Sequence, residues 1–235
     1  MNDAVSSQVL MSMLRFLPLL LVLTTAPLVA QSGYSNPALN GRIEGKTYLS
    51  PTGTFKVAIP VLPELGGRIV DTESAVTFQD NFNVFVTIAA FPLDATQRWE
   101  LATRGKKDYL TYFFGNFVMP DFQRTFAGAS VEEAKYAPSI MDGSLLAYLL
   151  LPGGSMFSHK LTFRAPDSPP PVAKRGNLIV THDDWIFIIS TELTERVLEG
   201  DAYQKTPQQE NDLLRQRLVE LLGKMQFTPP PKADR

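Results

Sequence analysis

The stretch Leu145-Leu146-Ala147-Tyr148-Leu149-Leu150-Leu151 shows no alternation of polar and apolar residues. A strand of this kind is apolar on both faces and has to be covered on both. It is expected centrally in a sheet, with further layers packed above and below it. The other strand signals are mostly of the half-buried kind. Phe55, Val57 and Ile59 alternate along residues 54–59, and Pro60 stops the run. Val76-Thr77-Phe78 and residues 84–91 follow, joined by Asp80-Asn81-Phe82-Asn83, a connection so short that the pair must be antiparallel. A second group comprises residues 131–136, then 145–151 behind the Asp142-Gly143 hairpin signal, then 157–163, 178–181 and 185–191.

Two helical patterns separate and close these groups. Asp94 with Gln97 three residues on reads as a helix start, and Leu110, Phe113, Phe114 and Phe117 form an aromatic stripe at helical spacing. Gly105 and Gly115 weaken this helix, and Pro120 is expected just past its end. Such a stripe serves core packing more readily than ligand stacking. Thr206-Pro207-Gln208-Gln209 is a capping-box pattern with Pro at the first helical position, and Leu214, Leu218, Leu221, Leu222 and Met225 supply the apolar face behind it. Gly223 marks the end of that helix, with Phe227 packing back onto the sheet. The order strands, helix, strands, helix defines an α+β fold, an antiparallel β-sheet with helices packed on its faces.

The amino terminus has a different character. Arg15 precedes the apolar run Phe16-Leu17-Pro18-Leu19-Leu20-Leu21-Val22-Leu23, which gives way to small residues ending at Ala30. This is the pattern of a signal peptide, with cleavage expected near Ala30. Residues 14–30 number only 17 and contain Pro18 and Pro27, whereas a membrane span takes roughly 20. No stable span is expected after cleavage, and the chain is expected to be periplasmic or secreted. An uncleaved segment would instead tether the domain. With no cysteine at all, disulfides, thiolate metal ligation and a lipid-modified cysteine are excluded. Residues 31–46 read as an extended linker, 47–227 as a single domain, and the proline-rich residues 228–235 as a disordered tail. Removing residues 1–30 takes away one acid, Asp3, and one base, Arg15, so the net charge stays at −2. That near-neutral balance, without a basic block, argues against nucleic acid as a partner.

The segment Tyr48-Leu49-Ser50-Pro51-Thr52-Gly53-Thr54-Phe55-Lys56-Val57-Ala58-Ile59-Pro60 resembles the opening strand, ending in Pro, of the PsbP-like fold group. That group includes the extrinsic photosystem II subunit and bacterial periplasmic DcrB-type proteins. The order of elements over residues 46–227 is similar to theirs. The resemblance implies a PsbP-like α/β/α sandwich and a non-catalytic role in binding, assembly or maturation. DcrB-type proteins are lipid-anchored through a cysteine that this chain lacks.

Candidate chemistry is sparse. His159 and His182 are the only histidines. His182-Asp183-Asp184 offers an imidazole and two carboxylates to a cation, but a hairpin between two strands needs polar turn residues there in any case. Ser155 or Ser158 with His159 and Asp167 could supply a hydrolytic triad, yet Gly153-Gly154-Ser155 lacks the closing glycine of a nucleophile elbow. Glu132-Glu133 are adjacent on a strand, which sends neighbours to opposite faces. Gly66-Gly67 and Gly153-Gly154 are too sparse for a phosphate cradle. No catalytic residue, cofactor or metal is expected. The proline-rich stretch within residues 166–175 can be neither helix nor central strand, and a long surface loop is where binding function concentrates. Pro166, Asp167, Pro169, Pro170, Pro171, Lys174 and Arg175 are the candidate partner-binding residues. The expected function is that of an exported binding or assembly factor of the bacterial cell envelope, acting through a protein partner. A small-apolar-ligand-binding domain and an unrecognised hydrolase are the alternatives.

Overall fold

A computed structural model of the chain describes residues 39–161 and 169–228. The leader at 1–30, residues 31–38 of the linker reading, and the tail from 229 onward lie outside the described residues. The remainder is α+β, with two antiparallel sheets. Strands β1 (Arg42–Glu44), β2 (Thr47–Leu49) and β3 (Phe55–Ala58) form the smaller one together with the last strand of the chain, β11 (Met225–Phe227), which pairs with β3. The larger contains β4 (Arg68–Asp71), β5 (Ala75–Gln79), β6 (Phe85–Pro92), β7 (Ser130–Ala137), β8 (Ser144–Pro152), β9 (Val172–His182) and β10 (Trp185–Glu192). Its order is β4-β5-β6-β10-β9-β8-β7.

The apolar strand read from residues 145–151 is β8, and it is covered on both faces as its composition demands. It lies one place in from the edge, however, and β10 holds the centre. Residues 42–46, read as linker, instead form β1 and its turn. Three residues are too few to show a period, and only pairing with β2 defines this strand. Residues 157–161, read as the start of a strand, make a 3₁₀ turn over Ser158–Lys160. There Ser155 Oγ accepts from Phe157 N (3.1 Å) and drives the backbone into a turn, while Phe157 is fully buried.

Asp94 caps α1 (Ala95–Arg104) through a reciprocal pair: Gln97 N donates to Asp94 Oδ1 (2.8 Å) and Asp94 N to Gln97 Oε1 (3.0 Å). Gly105, at φ 76°, then separates it from α2 (Lys106–Phe113). The helical path does not stop before Pro120. A π-turn over Phe114–Val118 leads into α3 (Met119–Thr125), with Pro120 as the second residue of α3 directly after the π-turn. Leu110, Phe113 and Phe114 are buried, with the Phe113 and Phe117 rings 5.2 Å apart.

A short helix, α4 (Glu195–Leu198), follows β10 and leads to α5 (Pro207–Gly223). The expected box at α5 is present: Gln209 N donates to Thr206 Oγ1 (3.3 Å) and Thr206 N to Gln209 Oε1 (2.9 Å). Helix α5 lies so close to β9 that a Cβ on Gly176 would stand 3.0 Å from Leu214 Cβ and 3.1 Å from Leu218 Cδ1. Leu214, Leu218 and Leu221 share one core with Tyr48, Phe55 and Val57 of the small sheet and Phe78, Val180 and Phe187 of the large one. The Phe227 ring packs at 4.8 Å from that of Phe187, as expected for a residue returning to the sheet.

Arg217 of α5 ties this helix to α4 by donating twice to Glu195, Nη2 to Oε1 at 2.5 Å and Nη1 to Oε2 at 3.1 Å. Burial pushes the Glu195 carboxyl up, but the Arg217 hydrogen bonds and the charges of Arg217 and Lys205 outweigh it and hold the group below its ordinary value of 4.5. A carboxylate with a depressed folded value stabilises the fold above its ordinary value and loses that contribution as pH falls through the folded one. Arg217→Gln is expected to cost about 0.5–1 kcal/mol at pH 7, with the difference from the parent fading below pH 4.5, in urea unfolding followed across pH.

Candidate functional site

One end of the seven-stranded sheet gathers the connections after β3, between β5 and β6, and between β8 and β9. The first two are built from turn-forming residues that leave apolar side chains outside. In the first, a 3₁₀ turn over Pro63–Leu65 ends at Gly66, where φ is 72°. Leu65 N and Gly67 N both donate to Leu62 O, at 3.1 and 2.9 Å. In the second, Asp80 Oδ1 accepts from the N–H groups of Phe82, Asn83 and Val84 at 2.8, 2.9 and 2.9 Å, an Asx-type closure. Asn81 N donates to Leu65 O (3.1 Å), so the two loops are stitched together. Leu62, Leu65 and Phe82 are left 49%, 37% and 54% exposed on this joined surface.

The third connection is clipped to it. Lys160 Nζ donates to Phe82 O (3.3 Å) and lies 5.5 Å from the Phe82 ring centre and 5.3 Å from that of Phe157. Beneath it, Glu192 at the end of β10 accepts from Ser155 Oγ (2.5 Å) and Met156 N (3.1 Å). Glu192 stands directly opposite Arg175 across the β9–β10 pair, with Arg175 Nη2 at 3.9 Å from Glu192 Oε2 and donating to Gly154 O (3.4 Å). The guanidinium packs over the rings of Phe85 and Phe126, at 4.6 and 5.7 Å. Burial pulls the Arg175 guanidinium below its ordinary value, with Glu192 acting in the opposite sense.

The proline-rich candidate residues are thus divided. Pro166 and Asp167 lie outside the described residues. Pro169 and Pro170 are exposed and Pro171 is half-buried, next to Gly153, whose N–H donates to Pro171 O (2.9 Å). They stand at the same end as Leu62, Leu65 and Phe82, because Val172 pairs with Pro152 at the close of β8. Lys174 and Arg175 are not loop residues. Both lie in β9 and are 0% and 2% exposed, so they form no contact surface. Charged side chains read as loop from sequence, but here each is matched by a carboxylate from another element. Lys174 Nζ bonds Glu132 and donates to Glu210 Oε2 (3.0 Å), and Arg196 Nη1 donates to Glu210 Oε1 (2.6 Å).

The weaker candidates resolve in the same way. Ser155 is engaged with Glu192, Ser158 Oγ donates to Ser155 O (3.1 Å), and His159 is exposed. His182-Asp183-Asp184 is the β9–β10 turn: Asp183 has φ 50°, and the His182 ring packs 4.8 Å from that of Phe227. Glu132 and Glu133 do not point to opposite faces. A bulge between Val131 and Glu133 resets the register, so Glu132 bonds Lys174 while Glu133 Oε2 accepts from Asn211 Nδ2 of α5 (2.7 Å). Among the described residues no group of three metal-ligating side chains comes together, and no helix is long and apolar enough to cross a membrane.

No protein-family model matches the chain, and no curated protein matches it in sequence. Solved structures do. A protein of Bacteroides thetaiotaomicron VPI-5482 is similar over 80% of this chain at 12% identity and TM-score 0.37, and this chain spans half of that one. Cyanobacterial PsbP (CyanoP) from Synechocystis is similar over 85% of this chain and 99% of its own, at 12% identity and TM-score 0.43. The Ran-binding protein Mog1p of Saccharomyces cerevisiae is similar over 81% and 96%, at 8% identity and TM-score 0.44. CyanoP belongs to the PsbP-like group that the opening strand resembles.

A buried cation deprived of its anion is strongly destabilising, whereas a matched pair can be replaced by neutral residues at small cost. Glu192→Gln is therefore expected to cost about 3–5 kcal/mol in urea unfolding. Arg175→Met with Glu192→Gln should recover most of that loss, since the amide oxygen can still accept from Met156 N while its NH2 donates to Ser155 Oγ.

Proposed function

We propose that this chain is an exported, non-catalytic binding or assembly factor of the bacterial cell envelope, periplasmic or secreted, that acts through a protein partner docked on the loop end of the large sheet. The observation that carries the reading is the joined surface of Leu62, Leu65 and Phe82, three exposed apolar side chains on two loops stitched by Asn81 N to Leu65 O at 3.1 Å. Exposed apolar groups clustered on one rim favour a protein interface, and single aromatic anchors carry much of the energy of such contacts. Exposed Pro169 and Pro170 extend the same rim and retain the proline-rich loop as part of the contact. The leader with its small-residue exit at Ala30 supports export, with the domain beginning after it.

The experiment is crosslinking in the native envelope with mass spectrometry of the captured protein, reading the mature amino terminus from the same sample. Leu62→Asp with Phe82→Asp is expected to lower capture of the parent's partner at least tenfold, as loss of an anchor worth about 2 kcal/mol or more requires, with an unchanged melting temperature. Gln31 is the expected first residue. Undiminished capture by this variant would refute docking at the loop end.

A further inference from the structure

The outer face of the four-stranded sheet is a second surface with different chemistry. Its register places Arg42, Leu49, Lys56 and Gln226 in one cross-strand row. The adjacent row, with Tyr48, Val57 and Met225, turns inward to the core. Two hollows of about 530 and 250 Å³ lie along the outer face, and Lys56 and Glu44 line both. Arg42 lines the larger and Lys224 the smaller, and Lys46 stands exposed in the turn between β1 and β2. Glu44 is already matched, with Arg42 Nε donating to its Oε1 at 3.0 Å. Among the described residues the ammonium groups of Lys46, Lys56 and Lys224 have no carboxylate within ion-pair distance. This face is therefore positive on a chain whose net charge is −2.

Both ends of the described chain are found here. Asn40 and Thr228 line the larger hollow, and Thr228 N donates to Thr54 O (2.8 Å). The 38 residues that precede Leu39 include the apolar run at 16–23. An apolar run of this kind directs a chain to a membrane, and a face carrying three unmatched ammonium groups is complementary to one whose headgroups are anionic.

We infer that the outer face of the small sheet seats on an anionic lipid surface, with Lys46, Lys56 and Lys224 facing the headgroups. Each cation held near such a surface raises partitioning by roughly fivefold, and the gain is lost within a Debye length or as salt is added. This surface is separate from Leu62, Leu65 and Phe82, so capture of a protein partner and lipid binding are independent readouts.

The test is flotation of the full chain with vesicles of phosphatidylcholine alone or with phosphatidylglycerol added, at low and high salt. The readout is the ratio between the two kinds, which cancels any binding common to both. The parent is expected to favour the anionic vesicles at least tenfold at low salt and to lose the preference at high salt. Lys46→Gln, Lys56→Gln and Lys224→Gln together should bring the ratio to within twofold of unity. A control with Lys107→Gln, Lys135→Gln and Arg215→Gln, which changes the net charge equally at exposed sites elsewhere, should keep it. A parent without preference, a triple variant that retains it, a control that loses it equally, or binding to heparin without binding to vesicles would each overturn the assignment.

Discussion

Lys174 and Arg175 are consecutive residues on β9, and alternation along a strand sends their charges into opposite faces of the large sheet. Each arrives in a layer from which water is excluded, and each finds a carboxylate there. Lys174 is matched by Glu132 of β7 and Glu210 of α5, which ties that helix to its face of the sheet. Arg175 is matched by Glu192 of β10 and covered by Phe85 and Phe126, so the opposite face fixes where the segment after α3 closes over the sheet. Replacing such pairs with apolar residues often costs little overall, whereas removing one partner alone leaves a buried charge unmatched and costs much more. The bulge at Glu132 belongs to the same arrangement, because without the extra residue Glu132 and Glu133 could not both turn toward Lys174 and α5.

Much of the fold was legible where a local rule acts alone. The capping boxes at Asp94 and Thr206 stand as their spacing required, since the partners lie within four residues of one another. The strands with long alternating or continuous apolar runs, β6, β8 and β10, were read in place for the same reason. What escaped depends on residues far apart in the chain. Strand β1 exists by pairing with β2, and β11 by pairing with β3 across most of the sequence. Residues 172–175 read as the end of the proline-rich loop at 166–175, and the strand signal began only at Leu178. Their burial rests on Glu132, Glu192 and Glu210, none of which is a sequence neighbour, and on α5 approaching Gly176. The exposed rim was partly legible. Phe82 inside Asp80-Asn81-Phe82-Asn83, and Leu62 and Leu65 beside Pro63 and Gly66, are apolar residues set within turn chemistry, with no alternation partner to carry them into a core.

The same long-range pairs explain why the rim is suited to binding. An interface made of loops has to order them on association, which subtracts from affinity. Here the ordering is already done by groups that lie underneath. Asp80 closes the β5–β6 turn with three hydrogen bonds, Glu192 holds the residues after Gly154, and Thr194 Oγ1 donates to Asn83 O (2.9 Å) from the segment that follows β10. Phe82 is therefore presented from a fixed backbone although its ring is exposed. The carboxylate that neutralises Arg175 is also the one that anchors Ser155 and Met156, so the buried charge of the core and the shape of the loop end are set by a single side chain. The small sheet is held by its own strand pairing and by Asp71, which accepts from Gly41 N and Tyr48 Oη at 2.7 Å each. The small sheet is thus tied to the large one through Asp71 of β4 and the core they share, while the loop end is held by Asp80, Glu192 and Thr194.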